Sequence, residues 1–312
     1  MNEDPHNYFM ALALKLASKG SEQTKPNPKV GALLVKEGEV VGKGYHAKAG
    51  DNHAEVIAIK EAGLKANGAT LYITLEPCSH YGKTPPCVEL IIKSGIREVV
   101  VACKDPNPHV NGGGLNALKE KNIRVIEDVL SFQATELNKG FFSRMSSGRP
   151  YIRSKIAASF DGRTSLKSGD SKWITSEYAR KDVQQWRKNA CAIITGVNTI
   201  NRDNPKLNVR LNEINHQPYR VILDTYLSIN LNAQILKQQK VILAYGKDPD
   251  GKLDTLQKMN IQLFKLPINN NHIDINHLMK ELTKLECNDI LVESGPSLNG
   301  SLLKQDLIDE LI

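Results

Sequence analysis

His53-Ala54-Glu55, followed by Leu75-Glu76-Pro77-Cys78-Ser79-His80-Tyr81-Gly82-Lys83-Thr84-Pro85-Pro86-Cys87, is the part of this 312-residue chain from which the rest can be read. It supplies an imidazole, two thiols and a carboxylate that need not bind a metal. His53, Cys78 and Cys87 fill three positions of a tetrahedral zinc ion and leave the fourth for water, whereas a structural zinc is normally closed by four protein ligands. The open position points to catalysis. Zinc lowers the pKa of bound water to roughly 7 and so makes hydroxide available near neutral pH. Glu55, two residues beyond His53, can point into such a site, take the proton from the water and hand it to a leaving amine.

The sequence around these residues predicts alternating strands and helices. Tyr8 to about Ser18 has apolar residues at helical spacing, with a stop at Lys19-Gly20. Val30 to Val35 and Val40-Val41 flank Glu37-Gly38-Glu39 as a hairpin. His53 to Ala66 reads as a helix, which puts His53 and Glu55 in its opening turn, where the helix dipole favours an ionised carboxylate. Leu71 to Leu75 is a strand running into Cys78. Cys87 opens a helix ending near Ser94, where free backbone amides stabilise a thiolate. Val99 to Ala102, a helix around Leu115 to Lys119 and Ile123 to Ile126 complete an order that predicts a largely parallel sheet covered by helices. Strand-to-helix junctions of such a sheet meet at one edge, the usual place for a ligand.

From Ser131 to Arg149 the periodicity weakens, ending in Ser146-Ser147-Gly148-Arg149-Pro150, and the domain boundary is expected there, giving 1–149 and 150–312. Tyr151 to Ala158 restarts as a strand, a helix runs from Ser176 through Asn189, and Ala192 to Thr195 is a buried strand. Further strands are expected at Arg220 to Leu223, Val241 to Ala244, Ile261 to Phe264 and Ile290 to Val292. The last runs into Glu293-Ser294-Gly295-Pro296-Ser297-Leu298-Asn299-Gly300-Ser301, a turn that opens a helix and whose amides could approach a phosphate. Taken alone, an ordinary loop is the commoner meaning of such a turn.

Composition narrows the class. Apolar content of 40% and charged content of 24% are those of a globular protein, and no apolar run approaches the ~20 residues needed to span a bilayer. The 41 basic and 34 acidic residues give a net charge of +7, but no basic block or basic-aromatic interleaving accompanies it and aromatics are only 5%, which argues against nucleic acid. Phosphorylated small molecules explain the charge more simply. Met1 to His6 lacks the basic and apolar regions of a secretory signal, and five scattered cysteines fit a reducing cytoplasm. Cys103, Cys191 and Cys287 are expected to be buried small hydrophobes.

The His-x-Glu and Pro-Cys elements are similar to those of the zinc nucleobase deaminases, but eight residues separate Cys78 from Cys87 where two are usual. The insert carries His80 and Lys83, suited to a substrate bearing phosphate. With Pro26-Asn27-Pro28-Lys29-Val30-Gly31, Asp105-Pro106-Asn107-Pro108 and matches through the second half, the chain from about Tyr8 to its last residue resembles the bifunctional riboflavin-biosynthesis deaminase/reductase family.

The resemblance implies a cytidine-deaminase-like three-layer domain followed by a dihydrofolate-reductase-like α/β domain, one zinc, NADPH and a phosphorylated pyrimidine substrate. It implies that Asn27, His46, His80, Lys83, Asp105 and Asn107 contact the pyrimidine and its phosphate. Ala157, Trp173, Thr199, Asp203 and the turn Gly295, Pro296, Ser297, Leu298, Asn299, Gly300 and Ser301 match cofactor positions. Ser171, Arg187, Leu207, Arg210 and Glu293 match substrate positions, the two arginines suiting a sugar phosphate. Glu293 and Lys155 are the candidate catalytic groups of the reductase, Lys155 to orient or protonate the sugar as hydride arrives. Family members continue for several elements after the match to Asp309-Glu310-Leu311-Ile312, so the reductase is expected to lack its C-terminal part. Two alternatives stand beside this reading: another zinc deaminase, of the tRNA-adenosine or cytosine type, and a deaminase joined to a silent nucleotide-binding domain. A homo-oligomer is left open.

Overall fold

The computed structural model describes residues 4–79, 86–108, 110–168, 170–171, 173–212, 214 and 216–312. The chain divides into two compact units, Met1–Ser147 and Gly148–Ile312.

In the first unit, α1 (Pro5–Ala17) precedes the hairpin of β1 (Gly31–Lys36) and β2 (Glu39–Tyr45), and α2 (Ala54–Ala62) leads to β3 (Thr70–Ile73). Then come α3 (Cys87–Lys93), β4 (Glu98–Val101), α4 (Gly113–Glu120), β5 (Arg124–Ile126), α5 (Ser131–Leu137) and α6 (Lys139–Ser147). The strands lie in the order β2-β1-β3-β4-β5. The expected largely parallel sheet is in fact mixed: β1 is antiparallel to both β2 and β3, and only β3, β4 and β5 pair in parallel. The cause is the tight hairpin, which reverses β1, after which α2 carries the chain over β1 so that β3 lands on its far side.

Alternation along the strands divides the core into two layers. Ala32, Leu34, Leu71, Ile73, Val99 and Val101 face α2, α3 and α4, whereas Leu33, Val35, Tyr72 and Val100 face α1 and the pair α5 and α6. The segment where the sequence pattern weakened is therefore two helices, burying Ala134 and Phe141. The seating of α2 is close because Ala54, Ala58 and Ala62 lie over the glycines of β2. A Cβ on Gly44 would stand 2.8 Å from the Ala58 nitrogen, and one on Gly42 would stand 3.0 Å from that of Ala62. Backbone rests on backbone there, with no side-chain layer between, and this fixes the height of the helix end that carries His53 and Glu55.

The second unit holds β6 (Tyr151–Ser154), α7 (Glu177–Asn189), β7 (Ala192–Gly196), α8 (Val197–Asp203), β8 (Tyr219–Leu223), β9 (Val241–Tyr245), α9 (Leu253–Lys258) and β10 (Gln262–Lys265). It continues through the small ribbon of β11 (Ile268–Asn269) and β12 (His272–Ile273), then α10 (Ile275–Lys284), β13 (Asp289–Val292), α11 (Pro296–Lys304) and β14 (Glu310–Leu311). Its main sheet has the order β10-β9-β8-β7-β13-β6-β14, and every pairing is parallel. β13 returns late in the chain to lie between β6 and β7, which makes the carboxyl ends of these three strands the place where the connections diverge. The strand expected to reach Ala158 ends at Ser154. One face buries Val221, Ile242, Ile290 and Val292 against α10 and α11, and the other buries Ile193, Ile222, Leu243 and Leu291 against α8 and α9.

Candidate metal centre and cofactor cavity

Two helix starts and one strand end supply the metal centre. His53 is the N-cap of α2 in extended backbone, and its side chain makes no capping bond, so the ring is free to turn toward the sulfurs. Cys87 is the first residue of α3, behind Pro86, and its amide donates to Cys78 Sγ at 3.3 Å. His53 Nδ1 lies 3.2 Å from Cys87 Sγ and 3.7 Å from Cys78 Sγ. All three donor atoms lie within 4.8 Å of one another.

The three ligand groups are electrostatically linked. Cys78 is held down to about 4, first by the hydrogen bond from the Cys87 thiol, against burial and with help from the His53 ring. The same bond, then burial and Glu55, push the Cys87 thiol up. His53 is raised, chiefly by its hydrogen bond with Cys78. Two soft sulfurs with one imidazole nitrogen fit zinc, and both thiols would bind it as thiolates. Glu55, in the first turn of α2 and only 3% exposed, has its carboxyl raised by burial, with His53 opposing.

Of the residues expected to touch the pyrimidine, His46 and Asn27 come to this centre. The His46 ring stands edge-on to His53 with centroids 5.6 Å apart. Its Nδ1 faces the Asn52 carbonyl at 3.2 Å, which can only accept, so Nε2 accepts from Asn27 Nδ2 at 3.2 Å. Burial lowers the His46 pKa, in keeping with a neutral ring. Asp105 and Asn107 follow β4, and the Asn107 amide donates to Asp105 Oδ1 at 2.8 Å. His80 and Lys83 lie outside the described residues.

Glu76 was not singled out by the sequence reading. Its carboxylate, 3% exposed, accepts four backbone N–H bonds: Oε2 from Asp105 at 3.2 Å and Gly112 at 2.9 Å, Oε1 from Gly114 at 3.0 Å and Leu115 at 3.3 Å. A carboxylate between Leu75 and Pro77, shortly after a buried strand, was the available signal.

In the second unit a cavity of 1210 Å³ opens at the carboxyl ends of β6, β7, β8 and β13. Lys155, Ala157, Ser171, Arg187, Thr199, Asp203, Leu207, Glu293 and the turn from Gly295 to Ser301 all line it. Trp173 and Arg210 do not. Trp173 is 71% exposed with the Arg180 guanidinium 4.3 Å from its ring centroid, and Arg210 reaches Asn208 Oδ1 at 3.4 Å. Arg187 gives its fork to Glu293, through Nε and through Nη2 at 2.9 Å, and Nη1 donates to the Asn208 carbonyl at 3.0 Å. Lys155 Nζ stands 4.0 Å from Glu293. A Cβ on Gly295 or Gly300 would meet nothing within 4 Å, so the turn is open toward a ligand. Asn198, Asp224 and Thr225 also line the cavity and were missed, although each follows a predicted strand.

Comparison with known proteins agrees with both halves. Residues 3–103 match the cytidine and deoxycytidylate deaminase zinc-binding region, and residues 150–312 match the RibD C-terminal domain. The chain is 43% identical to the riboflavin biosynthesis protein RibD of Escherichia coli, over 98% of this chain and 86% of that protein. It is 47% identical to RibD of Bacillus amyloliquefaciens, over 97% and 82%. The solved structure of Acinetobacter baumannii RibD superposes with a TM-score of 0.90 at 42% identity, covering 98% of this chain and 85% of that one. A Thermotoga maritima diaminohydroxyphosphoribosylaminopyrimidine deaminase/5-amino-6-(5-phosphoribosylamino)uracil reductase superposes with a TM-score of 0.85 at 34% identity, covering 96% and 84%. No helix among the described residues is long and apolar enough to cross a membrane.

Proposed function

The chain belongs to the bifunctional riboflavin-biosynthesis deaminase/reductase family, and from that premise we propose that residues 1–149 deaminate diaminohydroxyphosphoribosylaminopyrimidine and residues 150–312 reduce the resulting 5-amino-6-(5-phosphoribosylamino)uracil. The observation that carries the reading is the convergence of His53, Cys78 and Cys87 on one point, with the Glu55 carboxyl in the first turn of the helix that His53 caps. When bound, zinc supplies the Lewis acidity that makes water a nucleophile near neutral pH, and NADPH supplies hydride. Glu55 takes a proton from the attacking water and delivers it to the departing amine, so that ring C–N is exchanged for C=O and ammonia leaves. Its burial, which raises the carboxyl above its ordinary range, suits a group that must return the proton it accepts. Asn27 and neutral His46 offer an amide and an imidazole edge to the pyrimidine beside the metal ligands.

In the reductase unit, the open Gly295 to Ser301 turn receives cofactor phosphate, and Glu293 holds Arg187 and Lys155 at the cavity wall. Arg187 then orients the sugar through Glu293 instead of forking a phosphate directly, and Lys155, in the cavity wall beside Glu293, is the proton carrier for the opened ribose. Cys103, Cys191 and Cys287 are buried as thiols, which suits a reducing cytoplasm. The test measures ammonia release and NADPH oxidation in both Glu55→Gln and Glu293→Gln. Glu55→Gln is expected to abolish the first reaction and spare reduction of supplied deaminated substrate, and Glu293→Gln the reverse; loss of both reactions together in either variant would refute two separate sites.

A further inference from the structure

We propose that Glu76 is a positioning residue that sets the metal ligand Cys78 and the segment Asp105 to Asn107 against each other, and so controls substrate affinity in the deaminase site. The inference rests on the deaminase reading above and deepens it. Glu76 lies two residues before Cys78 and three beyond the end of β3, and its own amide donates to the Cys103 carbonyl at 3.0 Å, so its backbone is tied to the segment that follows β4. Its side chain then ties the same point to two further places. Oε2 holds Asp105 and Gly112, and Oε1 holds Gly114 and Leu115, so one carboxylate satisfies the start of α4 and the start of the 105–112 segment together.

The segment between those anchors is wound on itself. Asn107 donates to Asp105 Oδ1, Val110 and Asn111 donate to the Asn107 carbonyl at 2.8 and 3.1 Å, and Gly113 donates to that of Val110. Moving the Asp105 anchor therefore moves Asn107 with it. The metal side is equally close-fitted. A Cβ on Gly114 would run into the Pro77 carbonyl oxygen and stand 3.2 Å from Glu76 Oε1, and one on Gly113 would stand 3.0 Å from Ser79 Oγ. The first turn of α4 thus lies directly on the backbone that flanks Cys78, and Glu76 is the group that joins the two.

A glutamine at this position keeps the size but offers one acceptor oxygen and an NH₂ group. Two N–H donors would then face a donor, and one pair of amides is released while the other stays bound. The full-length zinc-loaded protein should be compared with Glu76→Gln and Glu76→Asp for zinc content, for kcat and KM of ammonia release, and for NADPH-dependent reduction as an internal measure of folding. Expected for Glu76→Gln is about one zinc per chain, unchanged reduction and at least a tenfold rise in KM for the pyrimidine. Loss of ~100-fold in kcat/KM corresponds to a displacement of about 1 Å. Unaltered KM and kcat in the zinc-loaded fraction, with only the melting temperature lowered, would mean that Glu76 is structural and would overturn the proposal.

Hydrogen exchange in the unmutated protein provides a test that needs no variant to fold. The amides of Asp105, Gly112, Gly114 and Leu115 should be protected as a set, and fast exchange at Asp105 and Gly112 would equally overturn it. Failure of the deaminase reading itself is distinguishable, because the unmutated protein would then release no ammonia.

Discussion

Replacing Gly44 by alanine should lift the catalytic helix off its strand. The added Cβ would lie 2.8 Å from both the Ala58 nitrogen and the Ile57 Cβ, and closer still to the Ala54 carbonyl oxygen. Carbon contacts relax at about 3.5–4.0 Å, so α2 must rise by about 1 Å at its first turn. Overpacking of this kind costs about 1–3 kcal/mol of stability. The larger effect is chemical, because His53 caps this helix, Glu55 lies in its first turn and a 1 Å misplacement of reacting groups costs about 100-fold in rate. Ammonia release should therefore fall about 100-fold while NADPH-dependent reduction, in the other unit, is unchanged. Val40→Ala, at an exposed position on the same strand, should alter neither. Ammonia release within twofold of the unmutated protein in Gly44→Ala would show that α2 can move without moving its first turn, and the argument from close seating would fail.

Chelation of the metal should end ammonia release and leave reduction intact, and Cys87→Ser should lower zinc content with the same selectivity; full zinc in that variant would remove Cys87 from the ligand set. Cys103 is pushed up to about 12, first by burial and then by Asp105 and Asp128, whereas an unfolded thiol titrates near 9.0. The folded protein keeps that proton while the unfolded chain loses it, so stability should fall by up to ~1.4 kcal/mol per pH unit between those values. Urea unfolding across that window should show a shallower slope for Cys103→Ala, and an identical slope would contradict the assignment. Arg220 is 1% exposed and its Nε has no partner among the described residues. Arg220→Met should stabilise the reductase unit by about 1–3 kcal/mol, and a lowered melting temperature would show that the charge is satisfied in solution.

The zinc ligands were legible because thiols and imidazoles at such spacings have few other uses, and Glu55 because it rides on the same helix as His53. The parallel strands of the second unit were legible as short apolar runs, such as Ala192 to Thr195, bounded by turns. The reversal of β1 against β2 was legible in the hairpin turn, but that β3 pairs with β1, and so runs against it, could come only from the connection of α2 over it. α5 and α6 escaped because each buries little, with Phe132 72% exposed beside the buried Ala134. Glu76 escaped for a different reason. Its partners are backbone amides 29 to 39 residues away, and no side chain advertises them. Likewise the engagement of Arg187 by Glu293 spans 106 residues, so a fork that looked available for phosphate was already occupied.

Asn138 gives the first unit a boundary that its zinc-binding stretch does not reveal. Its Oδ1 accepts from the Lys29 amide at 2.8 Å and its Nδ2 donates to the Lys29 carbonyl at 2.9 Å, mimicking a strand partner for the backbone two residues beyond Asn27. Residues 3–103, the part shared with other deaminases, therefore omit both this clasp and every amide that Glu76 binds. A fragment cut at that point would retain all three zinc ligands yet leave a carboxylate and the lower apolar layer exposed, at Met10, Leu33 and Tyr72 among others. Excision of a working deaminase should accordingly be made after α6, and the shorter piece should bind zinc, if at all, only as a swollen, aggregation-prone chain.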